Sequence, residues 1–227
     1  MPARQSSATV IVAIDGPGAS GKSSTARALA KLLDFLYVDT GAMYRSLAWY
    51  CLVNAVDVNN PRSVGAACKR WRTSLAAVDG QVQLLVGGKF PGDAIRTPAV
   101  TEAASKVAVV PAVRQWMKLK QRECRTFGNI VMEGRDIGTN VFPETDFKFF
   151  LDASPEERAK RRAAQGVQEN LPERDHRDSQ RRAAPLMIPL GAARIDNSGK
   201  TVAETAQEII AIVEQRMRLH SGRAHGS

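Results

Sequence analysis

The chain is short of aromatic residues, histidines, cysteines and long apolar runs, and each shortage removes a class of function. Aromatics are 6% of the residues and dispersed, so there is no ring-interleaved basic stretch of the kind on which nucleic-acid bases stack. Cys51, Cys68 and Cys124 are scattered, and His176, His220 and His225 lie far from them. No spacing matches a zinc site or a redox pair, and the thiols are expected to be reduced. No segment approaches the roughly 20 apolar residues that cross a bilayer. Met1 to Thr9 is small and polar where a signal peptide has a basic start and an apolar middle. The expectation is a soluble cytoplasmic protein without membrane or nucleic-acid partners, with disordered ends at 1–9 and 221–227.

One segment dominates what remains. Gly16-Pro17-Gly18-Ala19-Ser20-Gly21-Lys22-Ser23 fits G-x-x-x-x-G-K-[ST] and follows Val10-Ile11-Val12-Ala13-Ile14-Asp15, an apolar run with the length and branching of a buried strand. Glycines let the backbone wrap phosphate oxygens so that successive N–H groups and a helix N-terminus face the anion. A nucleoside triphosphate is the expected ligand, held by Gly16 to Ser24. Lys22 reaches the β and γ phosphates, and the Ser23 hydroxyl is the expected ligand of a magnesium ion. The net charge of +9 suits a protein that holds two phosphorylated ligands at once.

Strands and helices alternate along the chain. A helix is expected over Ser24 to Leu33, a strand over Phe35 to Val38, and a helix over Thr40 to Leu52. Asn54 to Pro61 then breaks the pattern. Ser74 to Val78 and Val82 to Val86 flank the hairpin turn Asp79-Gly80, and Lys89-Phe90 is a possible third strand. Thr101 to Arg125 reads as a helix interrupted at Pro111. Asn129 to Glu133 and Phe147 to Leu151 read as buried strands, and Ser154-Pro155-Glu156-Glu157 and Thr201 to Glu204 as helix starts. Such alternation predicts an α/β fold, a mostly parallel sheet covered by helices on both faces, with ligands at the carboxyl ends of the strands. The expected organisation is a core of 10–56 and 113–220, an inserted antiparallel region at 57–112, and a lid at 158–182.

A P-loop alone does not identify the second substrate. No N-K-x-D segment of a GTPase occurs, whereas Asp39-Thr40-Gly41-Ala42-Met43-Tyr44-Arg45, Ile95-Arg96-Thr97, Gly134-Arg135-Asp136 and Arg174 to Arg181 place arginine wherever an anionic acceptor could dock. With the segments from Glu133 to Pro143 and from Leu151 to Arg162, these motifs resemble the bacterial cytidylate kinases, over about Val10 to Met217. That resemblance implies transfer of the γ-phosphoryl group of Mg-ATP to CMP or dCMP by a monomer, with 57–112 as the monophosphate-binding region. It also implies that Thr40, Tyr44, Arg45 and Arg135 hold the acceptor, with Arg45, Arg135 and Arg181 near its phosphate. Ser105, Arg114 and Asp136 would read cytosine, and Arg174 and Asp178 the ribose.

The attacking atom is a phosphate oxygen that is already anionic, so positioning and charge neutralisation are the expected means of catalysis. Lys22, Arg135, Arg158, Arg162, Arg174 and Arg181 are the expected catalytic groups. Arg158 and Arg162 lie four apart with Glu157 adjacent, a pattern that also suits a solvated charged face. The lid stretch between Arg162 and the Glu173-Arg174-Asp175 segment is only Ala163 to Pro172, shorter than in many members of the family. Two other readings compete: another small-molecule P-loop kinase, for UMP, dTMP or shikimate, and a nucleotide-dependent nucleic-acid-binding module.

Overall fold

A computed structural model describes residues 9–164 and 186–224. β1 (Ile11–Asp15) is buried throughout, and its side chains alternate between two hydrophobic clusters. Ile11 and Ala13 enter one, Val12 and Ile14 the other, as a strand covered on both faces requires. With β2 (Leu36–Asp39), β3 (Thr73–Val78), β4 (Gln81–Val86), β5 (Ile130–Gly134), β6 (Phe147–Asp152) and β7 (Ala193–Asp196), the described residues form a seven-stranded sheet of order β3-β4-β2-β5-β1-β6-β7. It is parallel apart from the hairpin of β3 and β4.

α1 (Lys22–Leu33) and α7 (Val202–Ala224) cover one face, where Ala26, Leu29, Ile209 and Val213 are inaccessible to solvent. The other face carries α2 (Thr40–Val53), α3 (Pro61–Arg70), α4 (Pro98–Val107) and α5 (Pro111–Glu123). Trp71, at the end of α3, packs against Tyr50 and Trp116 with ring centroids 5.9 and 4.8 Å apart, which ties the 57–112 stretch to the core. Among the described residues, no helix is long and apolar enough to cross a membrane.

The local signals mostly gave the elements expected of them. Ser154 accepts from the Glu157 N–H at the start of α6 (Pro155–Ala164), and Thr201 and Glu204 form a reciprocal capping box before α7. Three details differ. α3 was not anticipated, although Asn60 caps it and Pro61 occupies its first turn. Lys89 makes only an isolated bridge to Val86 and no third strand. The antiparallel hairpin is not a separate sheet, because Gln81 pairs in parallel with Tyr37 of β2 (Leu36–Asp39) and extends the main sheet.

The registers place the carboxyl ends of five strands along one edge. Asp39 of β2 pairs with Glu133 of β5 (Ile130–Gly134), Asp15 pairs with Gly134, and Asp152 of β6 (Phe147–Asp152) pairs with Asp196 of β7 (Ala193–Asp196).

Candidate active site

At this edge the chain leaves β1 at Gly16, where an added Cβ would lie 2.0 Å from the Leu151 carbonyl oxygen. No side chain fits so close to a backbone atom. Ala19 and Gly21 are left-handed, with φ 57° and 91°, and this turns the loop into a concave cradle of N–H groups ending at α1. Within it the Lys22 side chain folds back, its Nζ donating to the Pro17 carbonyl at 2.6 Å and to Ser20 Oγ at 3.3 Å. Ser24 lies on the exposed face of α1.

The Ser23 hydroxyl donates to Glu133 Oε1 at 2.7 Å, and the Tyr37 hydroxyl reaches the same oxygen at 3.4 Å. Burial, and Asp39 nearby, push the Glu133 carboxyl up from its ordinary pKa, while Lys22, Ser23 and Arg135 pull it down. In the sequence Glu133 stands out only as the end of a strand. Its signal was an acid closing an apolar strand that neighbours the P-loop strand. Thr40 Oγ1 donates to the Glu133 carbonyl at 2.7 Å, which fixes the start of α2 against β5.

Asp39 accepts from the Ala42 N–H at 2.7 Å and from Arg45 at 2.9 Å, so one carboxylate both caps α2 and aims the arginine. Arg45 Nε is buried with no hydrogen-bond partner among the described residues. Arg135 is half-buried beside Gly134.

Farther along the same edge, Arg114 donates to Asp136 Oδ2 at 2.6 Å and to the Ala108 carbonyl at 3.3 Å. Both side chains are more than nine-tenths buried. Asn140 also donates to Asp136, at 3.0 Å. The Arg114 guanidinium stands 6.0 Å from the centre of the Tyr44 ring, and Ser105 is half-buried on α4, three residues before Ala108.

Arg158 and Arg162 are half-buried, so α6 is not simply a solvated charged face. Arg158 donates to the Gly18 carbonyl at 3.1 Å. Arg161, given no role from sequence, donates to the Ser20 carbonyl at 3.2 Å and to the Asn197 side chain and carbonyl at 3.0 Å each, while Glu157 steadies its Nε at 2.9 Å. Two basic residues of one helix thus brace the phosphate loop. Arg174, Asp178 and Arg181 lie outside the described residues, as does most of the expected lid at 158–182.

The family model described as Cytidylate kinase matches residues 12–215. A cytidylate kinase of Solibacter usitatus is 42% identical, over 94% of this chain and 95% of its own length. One from Anoxybacillus flavithermus is 40% identical, over 92% of this chain and 97% of its own. One from Streptomyces griseus is also 40% identical, over 91% and 93%. The match runs from the P-loop strand to the last helix, and the chain belongs to the cytidylate kinase family.

Proposed function

We propose that the protein transfers the γ-phosphoryl group of Mg-ATP to CMP or dCMP, with the residues described above in specific roles. The observation that carries the acceptor reading is the buried Arg114–Asp136 pair beside the P-loop strand. Cytosine presents an N4 amino donor beside its N3 and O2 acceptors. A carboxylate and a guanidinium held together complement that edge, whereas the O4 of uracil would face a carboxylate with no proton to share. Ser105 completes the base site, Thr40 and Tyr44 line it, and Arg45 and Arg135 receive the acceptor phosphate. Arg174 and Asp178 hold the ribose.

The oxygen donors at Ser23 and Glu133 suit magnesium, a hard cation that keeps several waters and is largely carried by substrate phosphates. Ser23 would ligate the ion directly and Glu133 would accept from its water. Magnesium, when bound, neutralises charge on the β and γ phosphates. Lys22 exchanges the Pro17 carbonyl for those phosphates. A CMP phosphate oxygen then attacks the γ phosphorus in line, the bond to the β-phosphate oxygen breaks, and ADP leaves with CDP as the other product. Arg158, Arg162, Arg174 and Arg181 offset the charge that spreads between the substrates. The 57–112 region binds the monophosphate, and the expected lid at 158–182 keeps water from the γ phosphate.

The test is ADP release with Mg-ATP and a panel of CMP, dCMP, UMP, AMP, dTMP and shikimate. CMP and dCMP should be turned over well above the others, and Asp136→Ala should abolish that preference. Preferred turnover of any other acceptor would refute the base-reading assignment.

A further inference from the structure

Asp15 closes β1 with a side chain wholly inaccessible to solvent. Its two carboxylate oxygens accept from the backbone N–H groups of Ile137 and Gly138, each at 2.7 Å, across more than a hundred residues of sequence. Those amides open the π-helical turn Ile137–Val141, in which the Asp136 carbonyl accepts from the Asn140 and Val141 N–H groups. The first N–H groups of a helical turn have no partner within it, and a carboxylate supplies two acceptors in one rigid plane.

We infer that Asp15 is a positioning residue for acceptor recognition: from the strand that carries the donor loop, it fixes the turn that orients Asp136. The inference rests on Asp136 reading the base. Holding the Ile137 N–H sets the peptide plane that follows Asp136. The Asp136 carbonyl is tied to the turn on the other side of that same plane. The two restraints together set the direction in which the Asp136 side chain leaves the backbone, and hence its meeting with Arg114. A buried carboxylate is a costly way to cap one turn. What it adds is a rigid link between the phosphate loop, which starts at the next residue, and the base-reading carboxylate.

Asp15→Asn keeps the shape but sets an NH2 against one of the two amides. The expected result is a fall of about tenfold or more in the ratio of kcat/KM for CMP over UMP, with KM for ATP changed less than twofold. Equal losses toward ATP and CMP, or an unchanged CMP/UMP ratio, would overturn the inference. Asp136→Ala is run beside it. If that variant keeps the preference for CMP, the base-reading assignment itself has failed. If it loses the preference and Asp15→Asn retains it, only the role of Asp15 has failed. Should Asp15→Asn not fold, amide hydrogen exchange on the wild-type protein decides. Ile137 and Gly138 are expected to be as protected without CMP as with it, and free exchange until CMP binds would show that Asp15 does not hold the turn.

Discussion

The Arg114 guanidinium lies 2.6 Å from a carboxylate oxygen of Asp136, and neither side chain is more than 9% exposed. Such a pair is weak evidence for stability, because desolvation cancels much of the attraction. Breaking it is expensive, since one charge is left buried alone. A stability role and a recognition role therefore separate in a double mutant. Arg114→Met or Asp136→Leu alone should cost about 3–5 kcal/mol of unfolding free energy. The double variant should recover much of that loss in a urea titration while its CMP turnover stays at the level of the worse single variant. Recovery of activity together with stability would remove the pair from the base site.

Lys22 has 4% of its surface exposed and is held by the Pro17 carbonyl and Ser20 Oγ, and methionine fills most of the same space. Lys22→Met should fold normally. If the lysine acts on charge that develops in the transition state, kcat should fall by about 10²–10³. CMP affinity measured by calorimetry should stay within a factor of two or three. A variant with kcat near wild type would assign Lys22 to holding the loop together instead.

Much of this was legible in the sequence, for reasons that differ from element to element. The P-loop was readable because its chemistry is local: the glycines, Lys22 and Ser23 occupy one turn. The helix starts at Ser154 and Thr201 were readable because capping partners lie three residues apart. The hairpin announced itself through Asp79-Gly80, but its attachment to β2 did not, because a single parallel pairing of Tyr37 with Gln81 leaves no periodic trace. Glu133, Arg161 and Asp15 share one difficulty. Their partners are Ser23, Asn197 and the Ile137 and Gly138 amides, 110, 36 and more than 120 residues away. Only the parallel registers of β1, β5, β6 and β7 bring them together.

The Ser23 hydroxyl and the Glu133 carboxylate are joined at 2.7 Å. If they hold magnesium between them and the phosphates, Glu133→Gln should raise the free Mg2+ giving half-maximal rate by roughly tenfold, an effect typical of outer-shell partners. Saturating Mg2+ should restore a large part of kcat. Loss of kcat with no change in the Mg2+ requirement would place Glu133 in support of α1 alone.

Arg161 spans the Ser20 carbonyl of the phosphate loop and both polar groups of Asn197, and an added Cβ on Gly21 would lie 3.1 Å from its guanidinium. Arg161→Met keeps the stem and removes the donors. KM for ATP should rise about tenfold, an amount that corresponds to about 1.4 kcal/mol, with KM for CMP nearly unchanged. Equal rises for both substrates would mean that the brace supports the whole site.

Burial raises the Asp15 pKa from 3.8 to about 7, against the pull of the Gly138 and Ile137 amides and of Lys22, while Asp136 adds to the rise. The sign of the linked stability follows. Between pH 4 and 7 the folded chain keeps a proton on Asp15 that the unfolded chain has released, so this residue's contribution is fully present near pH 4 and is lost as pH rises through 7. The unfolding free energy of the wild type relative to Asp15→Asn should therefore fall across that window, by up to about 4 kcal/mol, and level off above it. Urea titrations of both proteins at half-unit pH intervals read the difference directly, with the other carboxylates cancelling. A flat difference would mean that Asp15 is ionised throughout, its two amide bonds outweighing burial. A falling one would mean that the protein gives up stability at neutral pH to keep a charged acceptor at the junction of its two substrate sites.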